Sequence, residues 1–189
     1  RDRVEPWGLR LDEDLQALVI LREAWGIAVE LSAGRRSRLP FLPLLAAELV
    51  RLELQVGELS RAYDVAEEAL VGWRHVSELV YQRAEVERRA GRYAAAHELF
   101  VEARLLKPWT DLYLGDPRSR GVGALVGIAK TAAMRGDLTL AKDALGEALD
   151  LEPTDLEVRA LRARLLAVGG DEAAAWSELA TLLEEAPGN

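Results

Sequence analysis

The chain has 189 residues and a mass of 20.8 kDa, half of it apolar and 30% charged, with a net charge of −8 and no cysteine. That balance suits a folded chain, and the missing thiols exclude disulfides, thiolate catalysis and cysteine-based metal sites. The charge is uneven: residues 1–136 hold 20 acidic and 20 basic side chains, while residues 137–189 hold 12 acidic and 4 basic. With no basic excess to displace counterions from phosphates, generic nucleic-acid binding is excluded. No apolar run of about 18 residues is present to span a bilayer, and no stretch has the order of a signal peptide. The expectation is a cytoplasmic protein with no membrane insertion. The chain opens on Arg1 rather than methionine, which points to a processed chain or a piece of a longer one. Alanine, leucine, arginine and glutamate dominate and β-branched runs are scarce, so the chain reads as all-α.

Residues 1–40 hold a leader and then "LDEDLQALVILREAWGIAVELSAG", where Leu15, Leu18, Val19, Arg22, Trp25, Ala28 and Val29 recur at helical spacing. This predicts one helix, capped near Asp12 and ended near Gly34, serving as an N-terminal cap or a degenerate repeat. The short linker "GRRSRLP" makes a flexible hinge unexpected. From Gly57, "GELSRAYDVAEEALVGWR" begins a scheme that returns as "GRYAAAHELFVEARLLKP" from Gly91, "GDLTLAKDALGEALDLEP" from Gly136 and "GDEAAAWSELATLLEEAP" from Gly170. Successive glycines stand 34, 45 and 34 residues apart, a period of 34 with one 11-residue insertion.

Upstream of each glycine lies a second helical run, marked by Ala46, Leu49 and Val50, then Val80, Ala84 and Val86, then Leu125, Ile128, Ala129 and Ala132, then Leu161, Ala163 and Leu166. Each unit is therefore helix, tight turn, helix. The glycine supplies the positive φ that ends the first helix. Asp137 and Asp171 stand where an N-cap starts the second, and "TDLE" from Thr154 has the spacing of a capping box. Alanines at 84 and 96, 129 and 141, and 163 and 175 let paired helices approach, where a larger side chain would cost roughly 1–3 kcal/mol. Among the tryptophans, Trp25 and Trp176 read as core, and Trp73 and Trp109 as contacts to the next unit.

The Gly, Ala, Phe or Leu, Ala and Pro positions of this period resemble the tetratricopeptide-repeat (TPR) family. The resemblance covers four units, 43–76, 77–110, 122–155 and 156–189, with an insertion at about 109–121. It is weaker in the first helices, where the family's aromatic is missing and Arg83 and Arg162 stand where leucine is usual. It implies a right-handed α-solenoid of stacked antiparallel helix pairs, and a non-catalytic scaffold that holds a protein or peptide segment in a concave groove lined by the first helices. Carried onto this sequence, the groove residues are Arg51, Gln55, Tyr81, Glu85, Arg88, Lys130, Met134 and Arg164. Arg51, Lys130 and Arg164 hold equivalent places, with Glu85 in the same place of the second unit, so a basic stripe suits an acidic segment or a terminal carboxylate. A solvated groove without a special ligand is the bland alternative. Family members that clamp chaperone C-termini use asparagines where this chain has Glu48, Gln82, Gly127 and Leu161, so that activity does not carry over.

The insertion "WTDLYLGDPRSRG" is a second candidate surface, with Trp109, Tyr113, Arg118 and Arg120; Asp116–Pro117 reads as the start of a helix. A spacer that alters the superhelix is equally compatible with it. His75 and His97 read as solvated or packed rather than catalytic or metal-binding, since neither has convergent partners. "GVGALVG" from Gly121 follows no strand and precedes no Gly-Lys-Ser/Thr, so its glycines are read as close-packing rather than phosphate-binding. Neither catalytic residues, nor a metal, nor a cofactor is expected. Two alternatives stay open: the accessory repeat region of a larger enzyme, on a loose similarity of residues 43–155 to repeat regions of bacterial family-2-type glycosyltransferases, and a self-assembling homo-oligomeric module.

Overall fold

A computed structural model of the chain describes residues 11–31, 39–107 and 117–185. Among these residues there are nine α-helices and one short 3-10 turn. In chain order they are α1 (Leu11–Glu30), α2 (Leu42–Gln55), α3 (Leu59–Trp73), α4 (Ser77–Arg89), α5 (Tyr93–Leu105), the 3-10 turn Pro117–Ser119, α6 (Val122–Met134), α7 (Leu138–Leu151), α8 (Leu156–Val168) and α9 (Glu172–Glu185). The architecture is an all-α solenoid of helix pairs: α2 packs with α3, α4 with α5, α6 with α7 and α8 with α9. Each second helix also meets the first helix of the next pair, and α1 lies against α2.

The turns within the pairs are made by Gly57, Gly91, Gly136 and Gly170, whose φ angles are +85°, +76°, +84° and +84°. Only glycine takes this left-handed conformation without a Cβ penalty. Around each, two backbone bonds satisfy carbonyls left over at the helix end, for example Asp137 N–H to Ala132 at 2.9 Å and Gly136 N–H to Ala133 at 3.0 Å. Asp137 and Asp171 then cap α7 and α9 by accepting from Leu140 N–H at 3.0 Å and Ala174 N–H at 3.1 Å. The cap of α8 is Asp155, accepting from Val158 at 3.1 Å, one residue later than the Thr154 spacing suggested. Glu157 is turned to Lys130 instead of closing a capping box.

The pairs stack through small residues. Ala84 and Ala96 are fully buried, as are Ala62, Ala66 and Ala69. Phe100 packs against Gly127, where a Cβ would stand 2.5 Å from its ring, and a Cβ on Gly123 would stand 2.7 Å from the Arg118 carbonyl. These glycines serve close packing, and Gly121 separates the 3-10 turn from α6, so the third first-helix starts at Val122 and not near Pro117. One apolar cluster runs from Ala84 through Phe100 and Leu145 to Leu165, tying three pairs together. A second joins Leu18, Trp25 and Ala28 of α1 to Leu49, Trp73 and Leu79. Trp25 and Trp73 are buried. Trp176, read from sequence as core, is 71% exposed; its place on α9 faces the side where the earlier pairs carry a further pair.

Arg83, in a leucine place, is buried beside Glu67 at 2.6 Å and Glu87, with its guanidinium 4.1 Å above the Tyr63 ring. Burial pushes the Glu87 carboxyl up, but bonds from Arg92 and Arg83 outweigh it, and the group sits below the usual carboxylate range. Arg162 answers the same departure on α8 by pairing with Glu178 of α9 at 2.5 Å.

This packing sets the sign of two substitution pairs. Gly127→Ala destabilises by about 1–3 kcal/mol through overpacking on Phe100, whereas Gly146→Ala, with nothing near its Cβ, stabilises α7 by about 0.5–1 kcal/mol. Chemical denaturation of both variants checks the signs. Glu87→Ala leaves the Arg83 guanidinium buried with one exposed partner and costs about 3 kcal/mol. Adding Arg83→Leu recovers most of that loss, and a double variant no better than the single would contradict the assignment.

Candidate functional site

The first helices lie side by side, α2 against α4 and α4 against α6, and Lys130 Nζ joins α6 to Glu157 of α8 at 3.0 Å. Their core faces hold Leu49, Val80, Ala84, Leu125, Ala129 and Ala163. Arg51, Glu85, Lys130 and Arg164 stand at equivalent steps, one per first helix, and none of them is fully buried.

The structure gives most of this row a carboxylate or cation of its own. Arg51 forms a two-pronged bridge with Glu48 on the same helix, at 2.8 and 2.5 Å. Glu85 is held by Arg88 at 3.1 and 2.7 Å, and Lys130 by Glu157. The partner bonds push the Arg51 guanidinium above its ordinary value. Among the described residues Arg164 is the member of the row with no ion pair. The stripe is thus compensated along α2, α4 and α6, and its open cation lies at the α8 end. Of the other groove residues, Gln55 is exposed, Met134 is 61% exposed, and Tyr81 is half-buried with its ring edge-on to Phe100 at 5.4 Å.

In the insertion, Trp109 and Tyr113 lie outside the described residues. Arg118 reaches the α8 cap Asp155 at 2.7 Å, so this side chain staples the 3-10 turn to the next pair. Arg120 is half-buried.

Among the described residues no group of three His, Asp or Glu converges as a metal site, and no helix is long and apolar enough to cross a membrane. A cleft of about 290 Å³ between α3, α4 and α5 is lined by Glu67, Arg74, Arg83 and Glu102, whose charges pair with one another. His97 is half-buried and joined to Thr131 of α6 at 3.2 Å. The Thr131 Oγ1 also lies 2.9 Å from both the Gly127 and the Ile128 carbonyl oxygens, so one hydroxyl links the α6 backbone to the His97 ring. This histidine is an inter-pair strut.

No family model matches the sequence, and no curated protein matches it either. Solved structures do match. The chain is similar to YrrB, described as a TPR protein with an unusual peptide-binding site, at 23% identity and a TM-score of 0.57 over 77% of this chain and 69% of that one. It is similar to the nearly identical TPR-like repeats of a putative kinesin light chain from Podosopora anserina, at 17% identity and a TM-score of 0.68 over 93% and 89% of the two chains. The fold is that of the TPR solenoids. MamA from Desulfovibrio magneticus RS-1 also shares it, at 13% identity and a TM-score of 0.63 over 89% and 94%. These structures give the glycosyltransferase resemblance no support. On a TPR solenoid the row Arg51, Glu85, Lys130 and Arg164 falls on the first helices, and His97 belongs to the stacking between pairs.

His97 also yields a pH prediction. Burial, then the nearby Arg135 charge, hold its imidazole below its ordinary value, against Asp137, Glu98 and the Ile128 carbonyl. The folded state therefore prefers neutral His97, and its contribution is intact above about pH 6.5 and lost as the pH falls through the depressed folded value. Between pH 7.5 and pH 5 the wild type loses more melting temperature than His97→Gln; equal losses in thermal scans would contradict this.

Proposed function

We propose that this chain is a non-catalytic scaffold whose four repeats, 43–76, 77–110, 122–155 and 156–189, hold a protein segment in the groove of the first helices, with α1 against the first repeat as a capping helix or a degenerate repeat. The observation that carries this reading is the row of equivalent polar side chains, one on each of α2, α4, α6 and α8, on helices whose other faces are spent on the core. The peptide-binding site named for YrrB supports a peptide as the kind of ligand. The ligand is acidic, and its carboxylate is captured first at Arg164, the cation of the row that no carboxylate already holds. Binding farther along requires exchange: Arg51 and Lys130 must leave Glu48 and Glu157 for the ligand, so the gain per contact there is small.

The test is a titration of a fluorescent peptide of alternating aspartate and glutamate with a free terminal carboxylate. Arg164→Glu weakens binding about tenfold, the effect of one charge-assisted contact of roughly 1.5 kcal/mol, and the triple variant Arg51→Glu, Lys130→Glu, Arg164→Glu abolishes it. Unchanged binding by the triple variant would remove the groove assignment.

A further inference from the structure

We propose that the outer face of α9 is a second docking surface, separate from the groove, that receives a basic amphipathic helix. The second helices share one register. Tyr63, His97, Lys142 and Trp176 stand at equivalent places, spaced 34, 45 and 34 residues apart like the turn glycines. The first three each meet the next pair: Tyr63 lies under Arg83 of α4, His97 bonds Thr131 of α6, and Lys142 Nζ lies 3.3 Å from the Cβ position of Gly169 at the end of α8. Trp176 is in the place that elsewhere touches a further first helix, and it is 71% exposed.

Neighbouring places repeat the pattern. Ala66, Phe100 and Leu145 are buried in the first three pairs, and their counterpart Leu179 is half-exposed. Ala69, Ala103 and Ala148 are buried, and Leu182 is half-exposed. Leu183 is 66% exposed. Trp176, Leu179, Ala180 and Leu183 follow the i, i+3, i+4, i+7 spacing of a helix-docking stripe. The stripe is a continuation of the interface that joins the pairs, so a helix is the shape that fits it.

Charge selects among helices. The segment 171–185 contains Asp171, Glu172, Glu178, Glu184 and Glu185 and no lysine or arginine. Glu178 is used by Arg159 and Arg162, while Glu172 and Glu184 are exposed beside the apolar stripe. An apolar strip rimmed by carboxylates suits a helix with lysine or arginine on its flanks. The same charges disfavour a second copy stacking by α1: its exposed apolar residues Leu15, Val19, Ile20 and Ile27 share that helix with Asp14, Glu23 and Glu30, and its Arg22 is engaged by Glu53 at 2.7 Å. Like charges on these two helices oppose that stacking.

The probe is a synthetic 18-residue helical peptide with leucines at i, i+3, i+4 and i+7 and flanking lysines, against a scrambled peptide of the same composition. Both are titrated into the full chain by calorimetry, with tryptophan emission as a second readout. The patterned peptide binds at least tenfold tighter than the scrambled one and shifts the emission to the blue. Trp176→Ala and Leu183→Ser each weaken it about tenfold, as does Glu172→Lys with Glu184→Lys, while Arg51→Glu with Lys130→Glu changes it less than twofold. Failure of the groove titration therefore leaves this result untouched. Because Trp176 and Leu183 are exposed, their variants fold; should Trp176→Ala unfold, the charge variant decides. Equal affinity for the two peptides, or an unchanged affinity in Trp176→Ala, overturns the proposal. So does a doubled mass of the protein alone that Trp176→Ala returns to monomer, which gives the face to a second copy. A longer native polypeptide that fails to bind the peptide while this chain binds it gives the face to its own following helix, and overturns the partner assignment.

Discussion

A glycine in the left-handed region closes the first helix of each pair, and the two backbone bonds around it, such as Asp137 to Ala132 and Gly136 to Ala133, return the chain against that helix. The return brings alanine to alanine, as at Ala84 and Ala96 or Ala129 and Ala141, all buried. Once the helices are that close, the second helix has one side left for the next pair, and stacking results. Phe100 against the bare backbone of Gly127 is the tightest expression of this contact, a large ring admitted because its opposite number has no side chain. The stability of such a stack is the sum of the pairs and of the interfaces between neighbours.

Much of this was legible in the sequence, because the turn glycines, the aspartate caps and the alanine seams are local devices that recur at a fixed period. The register was readable from the spacing alone, and the left-handed glycines come with it. What the sequence hid was coverage. Periodicity says which face of α9 is apolar, but only the arrangement in space says that nothing among the described residues lies over Trp176. The start of α6 was hidden for a related reason: Pro117 does begin a helical turn, but the close approach of Gly123 to the Arg118 carbonyl and the break at Gly121 separate that turn from the helix.

The candidate groove was legible in position and misleading in charge. Reading Arg51, Lys130 and Arg164 as a stripe counts cations without their partners. The Arg51–Glu48 bridge is a same-helix pair three residues apart, which the sequence alone could have suggested. The Lys130–Glu157 bridge crosses from α6 to α8 and could not be seen before the helices were placed. The acidic excess of residues 137–189 acquires a location in the same way, part of it engaged in bridges to α8 and part left open along α9. Charge in this protein joins helices, between pairs at Arg83 and within the last pair at Arg162, both in leucine places, as much as it faces outward.

The described residues form a chain of neighbour-stabilised pairs with no further helix among them over α9, and native-state hydrogen exchange tests that most directly. Amides of α4, α5 and α6, enclosed by interfaces on both sides, should exchange slowest and only through global unfolding, while those of α8 and α9 should exchange through a separate opening of lower free energy. Uniform protection from α4 to α9, rising together with global stability, would show a single cooperative unit and contradict this arrangement.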